Sequence, residues 1–344
     1  VPKTAKGPRL IAIEPVCMQY MQQGIAEPLV TLLEQRYHGR ERNLAYGFVG
    51  FSEQWPNQAM AQIGSEDGSL ATIDLSEASD RVPNWLVEEL LLDFPHLNEG
   101  VAACRSKSIQ LLDGSIMHLS KFASMGSALT FPIEAMVFSA VAIEAVLRFS
   151  RRPISKGEIA KLRDQVRVYG DDIIVPTQTT ESVITSLETF GFKVNVNKSF
   201  WRGDFRESCG KEYWKGHDVS IVKVRKQLPA SRHDVDELVS TVALRNLLKK
   251  DGWHGTVAKL DELLTQILIW FPAVLETSPV LGRWESPYHY QVDGFDQHLH
   301  APFVKGFVQK PRIPENKISD IPALMKCLAE AIDMPDVDRD HLTR

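Results

Sequence analysis

Four carboxylates in two short stretches of this 344-residue chain have the types and spacing to do chemistry. In VRVYGDDIIVP, residues 166–176, Asp171 and Asp172 sit side by side at the tip of what reads as a β-hairpin, with Val166, Val168, Ile173, Ile174 and Val175 on either side. Gly170-Asp171 is ordinary turn chemistry, since glycine tolerates positive φ and aspartate bonds its own backbone. On this segment alone a solvated turn and a metal site both fit. The second stretch, TIDLSEASD, puts Asp74 at the end of a strand and Asp80 six residues later, in the loop or first helical turn that follows. Alone, Asp74 reads as a strand-end cap. If its strand lies beside the hairpin in one sheet, Asp74 comes next to Asp171. Two or three hard oxygen ligands converging from separate strands are what Mg²⁺ takes when it also binds phosphates. A pair of such ions, roughly 3.5–4 Å apart, activates a hydroxyl and stabilises a leaving phosphate oxygen in an in-line displacement.

The elements that must position these groups follow from hydrophobic pattern. SLATIDL (69–75) has the β-branched content of a strand, and VPNWLVEELLLDF (82–94) reads as a helix with Pro83 in its first turn and Leu86, Leu90 and Phe94 on one face. Residues 126–149 open with Gly126 and a polar loop, then turn apolar nearly all round, as a helix buried within a larger body does. After the hairpin come a helix over 181–191, stopped by Gly191, and FKVNVN (192–197), whose strict alternation predicts a half-buried strand. The order predicts an α+β fold with helices packed on one face of an antiparallel sheet. Beyond residue 232 the pattern is mainly helical: Val235, Leu238, Val239 and Val242 repeat at helical spacing, as do Val257, Leu260, Leu264 and Ile267. No internal repeat or low-complexity tract is present.

Composition bounds the rest. With 44% apolar and 24% charged residues the chain reads as an ordinary globular protein with two or three subdomains. Cys17, Cys104, Cys209 and Cys327 form no C-x-x-C pair, which argues against a zinc site or disulfide framework and for reduced thiols in a cytosolic protein. The apolar stretch Phe131 to Leu147 is broken by Glu134 and Glu144, and Ile267 to Leu275 is nine residues long, so neither is expected to span a bilayer. A net charge of −5 is not the footprint of a protein that coats nucleic acid with its whole surface. Residues 193–226 nevertheless hold nine Lys and Arg against four acids, and 148–167 hold seven against two, which allows a local basic path or simply a solvated face.

Taken together the motifs resemble the palm of RNA-dependent RNA polymerases. YGDD between apolar strands is preceded by D-x5-D at a strand end. SMGSALTFPIE (124–134) is similar to the Gly-loop-helix motif that lies between those acidic motifs, with Gly126, Thr130 and Glu134 at its spacing. VPKTAKGPRLIAIEP (1–15) resembles the basic fingers motif that handles incoming triphosphates. FRESCGKEYWKGHDV (205–219) closely resembles the segment after the palm in replicases of positive-strand RNA bacteriophages, the group typified by phage Qβ. The match is dense over 1–15 and 70–225 and thinner in the helical remainder.

The resemblance implies a right-hand polymerase: partial fingers over 1–69, a catalytic palm with an antiparallel sheet packed on helices over 70–222, and a mainly helical thumb and C-terminal region over 223–344. It makes Asp74 and Asp171 the principal ligands of two Mg²⁺ ions, with Mn²⁺ able to replace them, and Asp172 a supporting carboxylate. Lys3, Lys6 and Arg9 would grip the triphosphate, Arg9 above all because a planar fork matches phosphate oxygens; a solvated terminus is the plain alternative. Ser124, Gly126 and Thr130 would shape the loop under the nascent pair, and Asp80 would accept a hydrogen bond from the ribose 2′-hydroxyl unless it is merely the N-cap of a helix starting near Val82. Glu134 departs from the Asn that many palm polymerases carry at that spacing. Lys193 or Lys198 would donate a proton to the leaving pyrophosphate, and we carry Lys198 as the candidate. Cys209, Gly210 and Tyr213 fall where the family's primer-side hairpin is expected, although such a cysteine more often packs than reacts. Trp201, Trp214 and Trp253 could stack on bases, but core or interface roles are commoner for such residues.

The implied activity is RNA-templated RNA synthesis from ribonucleoside triphosphates in the cytoplasm of an infected bacterial host, with template and nascent RNA and host translation elongation factors as partners and no membrane. Because Val1 lies against the triphosphate motif, further fingers sequence is expected before it, and residues 1–344 alone are expected to bind RNA weakly and polymerise poorly. A reverse transcriptase shares the acidic palm; Gly170 before the acidic pair and Asp80 count against it. A non-catalytic RNA-binding subunit would have lost a metal ligand, and none is missing.

Overall fold

The computed structural model describes residues 2–4, 7–8, 11, 14–39, 41–110, 114–122, 125–310 and 325. It divides into two compact units, residues 1–220 with 318–344 and residues 221–317.

The first unit is α+β, built on a three-stranded antiparallel sheet in which Asp172–Pro176 is central, flanked by Leu70–Ile73 and Arg167–Tyr169. All four residues of Leu70–Ile73 are buried, as are Ile173 to Pro176, so the sheet is covered on both faces. Alternation along the strands sorts them. Ala71, Ile73, Val168, Ile173 and Val175 join the main core with Ile133, Val137 and Val141 of the long helix Thr130–Phe149. On the other face lies the helix Trp55–Asp67. Gly64 of that helix sits so close to Leu70 that a Cβ there would come within 2.5 Å of the Leu70 carbonyl oxygen. Helices therefore flank the sheet on both faces, not on one as the pattern of residues 69–197 suggested, because the second face is closed by a helix upstream of that span.

Other boundaries moved for local reasons. The expected helix over 82–94 is Asn84–Leu90, followed by a separate helix Pro95–Ala103, and Phe94 is exposed rather than on a shared face. Pro95 biases the residue before it away from helical dihedrals, and Phe94 has ψ 67°. The expected strand over 192–197 is reduced to Lys193–Val194, paired antiparallel with Leu75–Ser76; a 3₁₀ turn, Val196–Lys198, follows and leaves Val196 exposed. Phe200 then bridges antiparallel to Thr72. Thr130–Phe149 is long and apolar enough by composition to cross a membrane, but 72% of its apolar window is buried against the rest of the chain. A three-stranded antiparallel ribbon, Phe205–Ser208, Lys211–Trp214 and His217–Asp218, packs against the Trp55–Asp67 helix.

The second unit pairs helices Val235–Lys250 and His254–Leu268 through Leu238, Val242, Leu264 and Leu268, with Arg245 bonded to both carboxylate oxygens of Asp261 at 2.7 and 2.8 Å. Two short strand pairs follow, Ala273–Val274 with Arg283–Trp284 and Gly294–Asp296 with Ala301–Phe303.

Candidate functional site

Register brings the acidic motifs together. Ile73 lies opposite Ile173 and Thr72 opposite Ile174 in the antiparallel pair, so one step further Asp74 leaves its strand beside Asp172 at the start of the neighbouring one. Asp172 also pairs with Tyr169, which closes a two-residue loop, Gly170-Asp171. Gly170 has φ 58° whereas Asp171 is not among the residues of positive φ, the combination of a turn that needs glycine at its first central position. A second constraint acts at the same residue. A Cβ on Gly170 would overlap the Phe131 ring, with Cζ only 3.3 Å away, and that ring is itself packed edge-on between Phe51 and Tyr169 at centroid distances of 5.9 and 5.3 Å.

Asp74 is held on three sides. Its N–H donates to Ser199 Oγ at 3.1 Å, its carbonyl accepts from the Asn195 N–H at 2.9 Å, and its Oδ2 accepts from Asn195 Nδ2 at 2.8 Å. Its carboxyl is nevertheless pushed above the ordinary value, chiefly by burial; Asn195 and the Lys198 charge oppose the rise and Asp171 adds to it. Asp172 is pushed to about 6 by burial and then by Asp171, against a hydrogen bond from the Cys209 N–H to its Oδ2 at 3.2 Å. Glu134, inward-facing on the first turns of the long helix, is pushed to about 8 by burial, with Asp171 and Asp80 adding to the rise, and its Oε2 has no hydrogen-bond partner among the described residues. Asp171 thus acts on Asp74, Asp172 and Glu134, and Asp80 on Glu134, which links five carboxylates in one chain of repulsions. Lys198 is the lysine whose charge reaches Asp74, whereas Lys193 is exposed on the strand beside Ser76. No group of three or more His, Cys, Asp or Glu among the described residues is drawn close enough to hold a metal ion as it stands.

The remaining candidates fall into place unevenly. Asp80 lies within the short helix Ala78–Arg81 and its charge reaches Glu134; the helix Asn84–Leu90 is entered through Pro83, so Asp80 is not its N-cap. Gly126 has φ 115° in the loop leading to the long helix, whose first residue is the buried Thr130. Ser124, Lys6 and Arg9 lie outside the described residues, as does the side chain of Lys3, whose backbone belongs to the strand Pro2–Thr4. Cys209 and Gly210, with φ 49° and 73°, form the two-residue turn of the first ribbon hairpin. Burial first, and then Asp172, pushes the Cys209 thiol up to about 12, which keeps it protonated, and both the thiol and the backbone N–H of Cys209 hydrogen-bond the Asp172 carboxylate. Tyr213 is buried in the ribbon. Trp201 packs on the main core, Trp214 is exposed with Lys215 Nζ 4.8 Å from its ring centre, and Trp253 is exposed at the start of the His254–Leu268 helix.

Sequence reasoning missed Asn195 and Ser199, which fix Asp74, and Asn57, Gln58 and Arg167 behind Asp172. Arg167 Nε donates to Asn57 Oδ1 at 2.9 Å, Asn57 Nδ2 reaches the Asp172 carbonyl oxygen at 3.5 Å, and Gln58 Nε2 donates to the Cys209 carbonyl oxygen at 3.1 Å.

The family described as RNA replicase, beta-chain matches residues 1–252. The chain is 34% identical over 267 residues to the RNA-directed RNA polymerase beta chain of Enterobacteria phage fr, covering 78% of this chain and 43% of that one. It is 36% identical over 228 residues to the RNA-directed RNA polymerase subunit beta of Qbeta virus (strain MX1), covering 66% and 35%. Among solved structures, an RNA-dependent RNA polymerase of a human picorbirnavirus superposes with a TM-score of 0.45 at 14% identity, over 75% of this chain and 51% of that one. The chain spans less than half the length of the curated relatives it matches.

Proposed function

From the premise that the chain belongs to the RNA replicase beta-chain family, we propose that it carries the nucleotidyl-transfer site of an RNA-templated RNA polymerase. The observation that carries the proposal is the register that delivers Asp74 and the Gly170-Asp171-Asp172 turn to the same end of two adjacent strands, with Lys198 acting on Asp74. The runner-up readings, a reverse transcriptase and a non-catalytic RNA-binding subunit, have no observation of their own in their favour.

The donor set fits hard divalent cations. Burial and the Asp171 charge raise the pKa of Asp74, Asp172 and Glu134, and Lys198 is the cation acting on Asp74, so positive charge is what the cluster lacks. Asp74 and Asp171 would hold two Mg²⁺ ions, or Mn²⁺, with Asp172 in support, side chains closing in from their present separation. Cations bound there would favour the ionised form of an attacking 3′-hydroxyl and offset charge on the phosphates. The protein's own part is positioning. Asn195 fixes which Asp74 oxygen faces away from it. Lys198 Nζ donates a proton to the pyrophosphate oxygen released when the 3′-hydroxyl oxygen displaces it from the α-phosphorus. Asp80 accepts a hydrogen bond from the ribose 2′-hydroxyl, Arg9 with Lys3 and Lys6 takes the triphosphate, and Ser124, Gly126 and Thr130 shape the floor under the base pair. Cys209 and Gly210 would face the primer strand. In this reading residues 1–69 contribute fingers, 70–222 the palm and 223–344 the thumb. Template RNA, ribonucleoside triphosphates and host translation elongation factors would be the partners, in the cytoplasm of an infected bacterium.

The test is incorporation of labelled ribonucleotide on an RNA template, with and without Mg²⁺, by an N-terminally extended form of the chain and by the same form carrying Asp171→Asn. Template- and Mg²⁺-dependent product lost in the variant is the expected result. Product equal in both, or RNA binding indifferent to Mg²⁺ with no product, removes the polymerase reading.

A further inference from the structure

Asp172 is gripped from behind by a relay that starts on a helix. The Trp55–Asp67 helix turns two adjacent amide side chains, Asn57 and Gln58, toward the acidic turn. Asn57 is fully buried; its Oδ1 accepts from Arg167 Nε and its Nδ2 reaches the Asp172 carbonyl oxygen. Gln58 Nε2 donates to the carbonyl oxygen of Cys209, and the N–H of that same residue donates to Asp172 Oδ2. One amide therefore bears on the backbone of Asp172 and the other, through a single intervening residue, on its carboxylate.

We propose that the Asn57–Gln58 pair is a positioning device for Asp172, in which Gln58 sets the orientation of the Cys209 peptide and, through its N–H, which oxygen of Asp172 is left free for a divalent cation. The assignment rests on the polymerase reading for its catalytic meaning but not for its geometry. A peptide pinned at its carbonyl presents its N–H in one direction, and Cys209, held at φ 49° in a two-residue turn, has little freedom to find another. The same helix supplies an internal control. One turn on, the exposed Gln62 donates from Nε2 to the Gly216 carbonyl oxygen at 2.8 Å, a bond to the same ribbon at a residue that does not hydrogen-bond Asp172.

The experiment compares Gln58→Leu with Gln62→Leu in the 1–344 chain. Three readouts are taken: Mg²⁺ affinity by calorimetric titration, hydrogen exchange at the Cys209 amide, and kcat and KM for ribonucleotide incorporation. Gln58→Leu is expected to weaken Mg²⁺ binding by about tenfold, as removal of groups that orient a metal ligand does, and to speed exchange at Cys209. It should lower kcat by a similar factor with KM for nucleotide within about twofold, because the lost interaction orients a ligand and does not bind substrate. Gln62→Leu, which removes a bond to the same ribbon, should leave Mg²⁺ affinity and Cys209 exchange as in wild type. The proposal is overturned if the two variants behave alike, if Gln58→Leu binds Mg²⁺ as wild type does, or if wild type binds none. Wild type that binds Mg²⁺ but incorporates no nucleotide leaves the clamp to be judged on affinity and exchange, and the polymerase reading to be judged on the N-terminally extended form.

Discussion

Gly170→Ala is the change that tests most directly how the acidic turn is built. Two costs are separable in the structure. A side chain at φ 58° meets the left-handed penalty, about 1–2 kcal/mol for an L-residue. The new methyl also overlaps the Phe131 ring, which cannot swing away freely because Phe51 and Tyr169 pack edge-on against it, and overpacking of this kind costs about 1–3 kcal/mol. Together they should destabilise the first unit by roughly 2–5 kcal/mol. Shortening the ring residue removes only the second cost. In a cycle of Gly170→Ala, Phe131→Leu and the double variant, the double should be less damaged than the sum of the singles by about 1–3 kcal/mol. The loss left over is the backbone share. Native-state hydrogen exchange at the Val168 amide, which donates to the Phe48 carbonyl oxygen inside this unit, reads the free energies. Strict additivity, or a Gly170→Ala chain within about 0.5 kcal/mol of wild type, would refute the wedge between Phe131 and the turn.

Asp171→Asn should abolish nucleotide incorporation, a loss of several orders of magnitude, while leaving the fold intact by circular dichroism; a tenth of wild-type elongation would be too much for a principal metal ligand. Asp80→Ala should lower kcat/KM for ribonucleotides more than for deoxyribonucleotides, narrowing the preference by roughly 1–3 kcal/mol, and since Pro83 rather than Asp80 caps the next helix, an unchanged ratio leaves the sugar contact without support. Glu134 and Asp172 hold protons more tightly folded than unfolded, so each adds stability at low pH that is lost as pH rises, through about 6 for Asp172 and about 8 for Glu134. In the absence of divalent cations, thermal melts of Glu134→Gln should therefore show a smaller fall in stability than wild type on the alkaline side of pH 6; parallel curves would mean that Glu134 is ionised throughout.

Much of the sheet was legible because its signals are local. Apolar flanks marked both strands of the hairpin, Gly170 marked its turn, and the palm resemblance supplied the expectation, which local pattern cannot, that Asp74 comes to this turn. The supports were not legible, and the reason differs from one to the next. The Trp55–Asp67 helix buries Asn57, Ala61, Gly64 and Ser65 while exposing Trp55 and Ile63, so it has no apolar stripe to betray its period. Its contact face is small and polar because the helix must approach Leu70 closely and its amides must reach the turn. Asn195 and Ser199 sit in FKVNVNKS, where alternation argues for a continuing strand; the chain instead leaves the strand after Val194, and the 3₁₀ turn at Val196–Lys198 is what brings Ser199 back to Asp74.

The departures from local rule cluster where charge is crowded. A buried Glu134 with an oxygen lacking a partner among the described residues, an Asp172 pushed toward neutrality and an Asp74 pushed the same way are each unfavourable to folding, and all three lie within the field of Asp171. Elsewhere in the same unit the chain satisfies buried charge: Arg206, 1% exposed, donates to three backbone carbonyls, and Arg105 does the same. The carboxylates are left short of positive charge against that background, so the shortage is a property of the site and not of careless packing. A ligand that brings positive charge binds the folded state and not the unfolded one, and it recovers at binding what the fold gave up in assembling the site.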